Sequence, residues 1–595
     1  MKRVRSGTAI CALAVITLVL PLIVARHHGA FGAVRGDDWS YLRTLFHWVN
    51  TGDLDFNNWV SMTLIGQLVV AAPVAWIRPN SIAAVQTLTA VWGFIGIAIV
   101  FFMTLRLTRR HSYAFGLALL LGTTPLWGVL SVGFMTDIPA LTMAMATVAL
   151  GIRAVNGVTV SARYLFAAIG VALCAFTVRE YAIIPGVATV IVAVLRVRAE
   201  RPVSAEPAEA HTALERSKAP KLWVVALCAS GAVLVCIAIM VWWRTVPNGK
   251  ALAPNFPDGH SIRTLFYKGA GIPRLLGLIL MPAIIMAGPT RIVRTAFSAQ
   301  KDSAFFLTGF VTFAFAFSGI SGPRIAFAGN YMSPDGALAQ SVGRGRRPDL
   351  IAAPLWNFLV IVGSTGAVLL VIAAFPTIHA LFQRVRTRDL EVRDPVAALL
   401  GFAIVGYASV YALAAAVGLP LYDRYAMPLV PIVGIMLLRR SQVSDRAERP
   451  MRKSSSHRLT RKFTAMATLA ALAALGYVYT ADSASYDGSR WDVARATHIK
   501  YKITNRDIGG SFEWVNYYAK KPGTGVRKRE KFCVRVTLLQ DQQSAPNAID
   551  KVSYAYRPPL RDPLTMAALY EPPCKHSPDA RPVSFTPVKA QRTQP

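Results

Sequence analysis

Apolar residues run along this chain in long blocks separated by short polar stretches, the pattern of repeated membrane crossing rather than of alternating strands. The blocks predict spans at about 8–25, 82–105, 113–132, 137–152, 164–178, 182–195, 222–243, 275–290, 304–320, 355–382, 396–418, 424–438 and 463–480. That makes about thirteen helices, several shorter than the roughly 20 residues that cross a hydrocarbon core. The first block follows Lys2, Arg3 and Arg5 and exceeds a signal-peptide core in length, so it reads as an uncleaved anchor. A first loop of residues 26–81 precedes the second span, and a tail of residues 481–595 follows the last. Within the tail, Lys531 to Leu539 and Lys551 to Tyr556 have strand-like composition and Arg495 to Thr504 is helical in character. The expected fold class is therefore mainly α, a polytopic membrane domain over 1–480, with a small mixed α/β domain over 481–595 that ends in a Pro-rich stretch.

Composition agrees with lipid as the main solvent. Of 595 residues, 54% are hydrophobic and only 16% charged, which excludes a disordered, fibrous or purely soluble chain. The net charge of +33 invites a nucleic-acid reading until the cations are located. With the N-terminus inside, about 30 of the 64 Lys and Arg fall in inner segments, about 15 in outer loops and about 19 in the tail. This positive-inside excess orients the chain and leaves no nucleic-acid partner to invoke; an odd number of spans then puts the tail outside. The Ala- and Arg-rich composition, without an Asn-x-Ser/Thr acceptor, fits a bacterial inner membrane. Cys533 and Cys574 lie in the tail, where an oxidising compartment permits a disulfide between them.

Polar residues at the outer ends of the apolar blocks carry the candidate chemistry. In the first loop, Trp39, Leu42, Phe46 and Val49 recur at helical spacing and Gly52 follows, predicting a helix laid along the membrane surface. Asp37 and Asp38 begin that helix, where they serve either as a cap with a favourable dipole charge or as a catalytic base. Asp137, two residues before Pro139, opens the fourth span in the same two-sided way. Arg179, Glu180 and Tyr181 form a short outer turn in which Glu180 could neutralise Arg179. The segment Tyr422 to Pro428 contains Arg424 and two tyrosines, and reads as an interfacial anchor on composition alone.

Taken in order, these motifs resemble the GT-C glycosyltransferase superfamily, particularly protein O-mannosyltransferases and lipid A aminoarabinose transferases. The resembling features are Asp37, Asp38 and Tyr41 after the first span, Phe134 to Ala140 at the second acid, Arg179 to Pro185, Asp423 to Pro431, and the tail stretch Gly509 to Trp514. Asp38 stands where many members have Glu. The resemblance implies a GT-C-like fold and transfer of a hexosyl or pentosyl group from a polyprenyl-phosphate-linked donor to a glycan, lipid or protein acceptor at the outer face, in cell-envelope glycan biosynthesis. It implies Asp37 and Asp38 as the catalytic acids, Asp137 at an acceptor or metal site, and Arg179 and Arg424 on the donor phosphate, with a divalent metal as an open cofactor.

The rival class is a transporter or lipid flippase without catalysis. That class expects ionisable groups near mid-membrane and two repeated halves. Here the acids and arginines gather at outer helix ends and no repeat is visible, which favours an enzyme. No P-loop, Gly-x-Gly-x-x-Gly or zinc-ligand spacing occurs. The topology is testable: a reporter fused after residue 595 is expected to be active outside, and one inserted within Arg439 to Lys462 inside. The opposite pattern would place the acids in the cytoplasm and remove the case for a lipid-linked donor.

Overall fold

A computed structural model describes residues 2–199, 220–250, 259–299, 308–309, 312, 326–338, 347–387, 392–419, 421–447, 456–519, 532–539, 548–554 and 564–570. Among them, eight helices are long and apolar enough to cross a membrane: Ser6–His27, Ile82–Thr108, Asp137–Val155, Glu180–Ala199, Leu222–Thr245, Ala353–Thr377, Pro395–Ala416 and Leu459–Tyr501. A ninth would be the pair Gly269–Ile279 and Met281–Ala287, bent by 62° where Pro282 opens the second helix. Three shorter apolar helices accompany them: Ile65–Ile77, His111–Gly122 and Ala162–Val178.

Among the described residues, eight or nine of the roughly thirteen expected spans are thus helices of full membrane-crossing length, and the one expected at 164–178 is the shorter helix Ala162–Val178. The block at 113–132 forms only His111–Gly122 and a single turn, Trp127–Leu130, because Gly122 and Pro125 interrupt it. The block at 424–438 starts late, at Leu429, after a tight turn Asp423–Ala426 and Pro428. Within the first loop, Ile65–Ile77 is an unforeseen apolar helix. The span expected at 304–320 falls almost wholly outside the described residues.

The last helix does not stop at 480. Helix Ser456–Tyr501 runs on for 46 residues, and its second half buries Thr480, Asp482, Ser483, Ser485, Asp487, Ser489 and Arg490. Charges buried this deeply need partners, and the loops supply them. Arg35 of the first loop binds Asp487 at 3.0 Å and Ser483 at 2.8 Å, Arg347 pairs with Asp482, and Arg490 pairs with Glu513 at 2.9 Å. The Tyr479 hydroxyl donates to the Ser333 carbonyl at 2.5 Å. Small residues let the backbones close in: a Cβ at Gly488 would collide with the His28 carbonyl, and one at Gly476 with that of Thr123.

Beyond this helix lies a four-stranded sheet of order β1-β2-β4-β3, with β1 Ile508–Gly509, β2 Val534–Leu539, β3 Ala548–Tyr554 and β4 Leu564–Tyr570. Pairing is antiparallel except for β1, which runs parallel to β2. Two strands match the predicted segments; β1 is too short, and β4 too mixed in composition, to stand out by pattern. Val534, Ile549, Met566 and Ala568 pack on Tyr486 and Val493 of the long helix. Cys533 is disulfide-bonded; Cys574 and the Pro-rich end lie outside the described residues.

The first-loop helix is Asp38–Thr51, closed by Gly52 at φ +81°. It does not lie open along a surface. Ser40, Tyr41 and Thr44 are buried as well as Trp39, Leu42, Leu45 and Phe46, because Ile65–Ile77 and a short C-terminal helix, Phe512–Tyr518, pack against it. Asp38 fastens its start to a neighbouring loop. One carboxylate oxygen accepts from Arg35 N at 2.6 Å and the other from Phe134 N at 3.3 Å, three residues before Asp137.

Burial pushes Asp38 up to about 8 from its ordinary value of 3.8, against the opposing pull of those two N–H groups. The folded protein then keeps a proton that the unfolded chain releases, so this group's stabilising contribution is full below about pH 4 and is lost as the pH rises towards about 8. The melting temperature of the wild type relative to Asp38→Asn, whose amide does not titrate, is therefore expected to fall across that window in detergent. A difference independent of pH would refute it.

Candidate active site

Four charged side chains from distant parts of the chain meet at the loop end of the bundle. Asp37 immediately precedes the first-loop helix, and Asp137 is the first residue of Asp137–Val155. Arg179 separates Ala162–Val178 from the turn Glu180–Ile183, and Arg424 sits in the turn Asp423–Ala426. Arg179 Nη1 is 2.5 Å from Asp137 Oδ1. Arg424 bridges the two acids more loosely, with Nε 3.8 Å from the same oxygen and Nη2 3.7 Å from Asp37 Oδ2. The Asp37 side chain is 28% exposed, whereas those of Asp137, Arg179 and Arg424 are 2%, 6% and 5% exposed. Asp37 is thus the most exposed of the four.

Local structure explains how each arginine is aimed. Arg179 has extended backbone, φ −159° and ψ 128°, which ends its helix and swings the side chain towards Asp137. Arg424 is set by the buried Asp423, whose carboxylate accepts from Arg424 N at 2.8 Å, Tyr331 N at 2.7 Å and Met332 N at 2.6 Å. Aromatic rings fill the remaining space. Arg179 lies over Tyr181 and Tyr425 at 5.3 and 5.2 Å, and Arg424 over Tyr422 at 5.0 Å and Tyr331 at 5.8 Å. Tyr41 is buried beside the charges of Asp37, Arg179, Arg424 and Asp137; burial raises its hydroxyl well above the ordinary tyrosine value and keeps it a neutral donor.

These contacts bear on several alternatives that the sequence leaves open. Asp37 occupies the cap position but makes no capping hydrogen bond; its Oδ1 accepts from Trp59 Nε1 at 3.1 Å. Glu180 accepts from Thr63 N at 2.8 Å, and it is Asp137 that forms the close ion pair with Arg179. Asp38 stands apart from the cluster, both of its oxygens committed to backbone N–H groups. Trp59 and Tyr331 carry no signal in the sequence, since both lie in irregular loop segments without periodicity. Two polar atoms are left unused: Arg424 Nε and Asp137 Oδ2 are buried without a hydrogen-bond partner.

The donor set does not fit a divalent metal. Among the described residues no group of three or more His, Cys, Asp or Glu is placed to hold one. Asp37 and Asp137 both face guanidinium groups, which would repel a cation brought between them.

No protein-family model matches the chain, and no curated protein matches it significantly in sequence. Solved structures with a related arrangement include ArnT from Cupriavidus metallidurans bound to undecaprenyl phosphate, 14% identical, with 93% of this chain and 97% of that chain covered at a TM-score of 0.42. The apo state of ArnT is 12% identical, with 94% and 98% covered at 0.39. The archaeal oligosaccharyltransferase AglB from Archaeoglobus fulgidus, in complex with an inhibitory peptide and a dolichol-phosphate, is 14% identical over 88% of this chain at 0.41, and this chain spans 61% of that protein's length. At such scores the reading of function rests on the chain's own geometry.

Proposed function

We propose that the protein is an integral membrane glycosyltransferase that moves a sugar from a polyprenyl-phosphate donor to an acceptor on the outer face of the cell's inner membrane. The observation that carries this reading is an accessible carboxylate, Asp37, beside a buried guanidinium, Arg424, that retains an unpartnered N–H. Asp37 takes the proton from the acceptor hydroxyl as its oxygen bonds to the anomeric carbon. The bond from that carbon to the phosphate oxygen breaks, and the phosphate leaves with the electron pair and one more negative charge. A guanidinium placed in advance meets that charge without reorganisation. Asp137 keeps Arg179 in place and shares Arg424, so the two cations hold their spacing before the donor arrives.

Asp37→Asn is expected to leave the protein folded and to lower transfer by about 100- to 10,000-fold, the range for a missing general base. The readout is the envelope sugar that vanishes when the protein is deleted and returns with the wild-type chain. Full restoration by Asp37→Asn would end the catalytic assignment, and deletion without any change in envelope sugars would end the glycosyl-transfer reading.

The arginines give a second test. Lys keeps the charge but loses the planar fork, so Arg424→Lys and Arg179→Lys are both expected to reduce transfer clearly in membranes of normal protein content. If Arg424 meets the departing phosphate, Arg424→Gln lowers turnover more than it raises the apparent donor constant. Normal transfer in both Lys variants would remove the phosphate role.

A further inference from the structure

The stretch Gly509 to Trp514 is unused by the mechanism above, yet it is built into the same end of the molecule. Ser511 Oγ accepts from Trp514 N at 3.0 Å and starts the helix Phe512–Tyr518. Three anchors hold this helix. Glu513, fully buried, pairs with Arg490 of the long helix at 2.9 Å. Trp514 meets Trp491 edge-on at 4.8 Å and donates to the Asn505 carbonyl at 2.9 Å. Arg43, on the first-loop helix, donates to the carbonyls of Asn516, Tyr517 and Ala519 at 3.2, 2.9 and 2.7 Å, closing the far end of the short helix with a cation.

With the helix fixed at those points, Phe512 projects against Trp59 and Trp39, at ring separations of 5.1 and 6.2 Å. Trp39 and Trp59 are themselves 5.8 Å apart. Trp59 is the residue whose indole N–H holds Asp37 Oδ1. It lies in a loop where the preceding Asn57 and Asn58 both have positive φ, so no regular element sets its ring. Its orientation depends on what packs against it.

We propose that Phe512 is a positioning residue for Asp37, acting through Trp59, so that the C-terminal segment is part of the machinery that aims the base. This rests on the role proposed for Asp37. Phe512 and Trp39, with Lys250 Nζ over the ring at 4.5 Å, hold the indole, the indole N–H fixes one carboxylate oxygen, and the other is left facing Arg424 and the acceptor. Without the clamp the carboxylate turns away from the acceptor hydroxyl, and a displacement of about 1 Å costs on the order of 100-fold in rate.

The test combines a double-mutant cycle with a spectroscopic signature. Initial rates are read in membranes of a deletion host that supply their own polyprenyl-phosphate sugars and acceptors. Trp59→Phe and Phe512→Ala are each expected to lower the rate about 10- to 100-fold, and the double variant no further than the worse single one. Phe512→Tyr is expected to restore most of the rate, and Phe512→Leu gives a milder variant should Phe512→Ala fold poorly. Multiplying losses in the double variant would overturn the proposal. In protein labelled with 5-fluorotryptophan, the Trp59 fluorine resonance, assigned among the 12 tryptophans by its loss in Trp59→Phe, is expected to move in Asp37→Asn and to broaden or split in Phe512→Leu. A Trp59 resonance unchanged in either variant would also overturn the proposal. The two readings separate: normal rates in Asp37→Asn would defeat the proposed chemistry, while the resonance still decides whether Phe512 holds Trp59 against residue 37.

Discussion

The contact between Arg179 and Asp137, 2.5 Å long and almost wholly buried, is the constraint on which this end of the molecule depends. Neither charge can be carried alone into surroundings of low polarity, so each requires the other's segment to arrive. The pairing ties the turn after Ala162–Val178 to the start of Asp137–Val155. It thereby sets the position that Arg424 must bridge from the turn before Leu429. Asp38 adds a neighbouring constraint, holding the Arg35 and Phe134 backbones to one carboxyl, so that Asp37 and Asp137 are fixed relative to each other through the chain as well as through Arg424.

The long helix supplies the opposing wall. Its apolar first half suits lipid, whereas the second half is lined with Ser, Thr, Asp and Arg that would be costly in a membrane. They are tolerated because Arg35, Arg347 and Glu513 come to the charged ones from three separate segments, while Thr480 and Ser489 bond back to carbonyls of their own helix. One continuous helix therefore joins the membrane part to the small sheet, and the loops around the four-residue cluster are held by ion pairs as well as by apolar packing.

How much of this was legible in the sequence follows from the range of each interaction. Spans showed as apolar blocks because hydropathy is local, and they failed where Gly122, Pro125 and Pro428 punctuate a block that still reads as apolar on average. Asp37, Asp137, Arg179 and Arg424 were noticeable as charges at block ends. Asp37 and Asp38 were inseparable, since adjacent residues at a helix start point about 100° apart and only the surrounding loops decide which one faces the cluster. Trp59 and Tyr331 were invisible: their roles come from contacts with Asp37 and Arg424, 22 and 93 residues away in the chain. The contact between Arg179 and Asp137 is hidden for the same reason: the sequence offers the adjacent Glu180 as a possible neighbour, whereas the acid it meets is 42 residues distant.

The unequal lengths of the ion pairs bear on the proposed chemistry. Two acids and two arginines leave the cluster neutral, so a donor phosphate entering it must take a cation from a carboxylate. Arg179 is the poor choice, because its contact with Asp137 is short and buried. Arg424 lies 3.7 and 3.8 Å from its two acids, beyond hydrogen-bond distance of either, and keeps an N–H free. On the proposed reading, Arg424 is therefore the group available to the phosphate, while Arg179 stays with Asp137. Asp37 does not depend on Arg424 for its position, because Trp59 Nε1 holds its other oxygen at 3.1 Å.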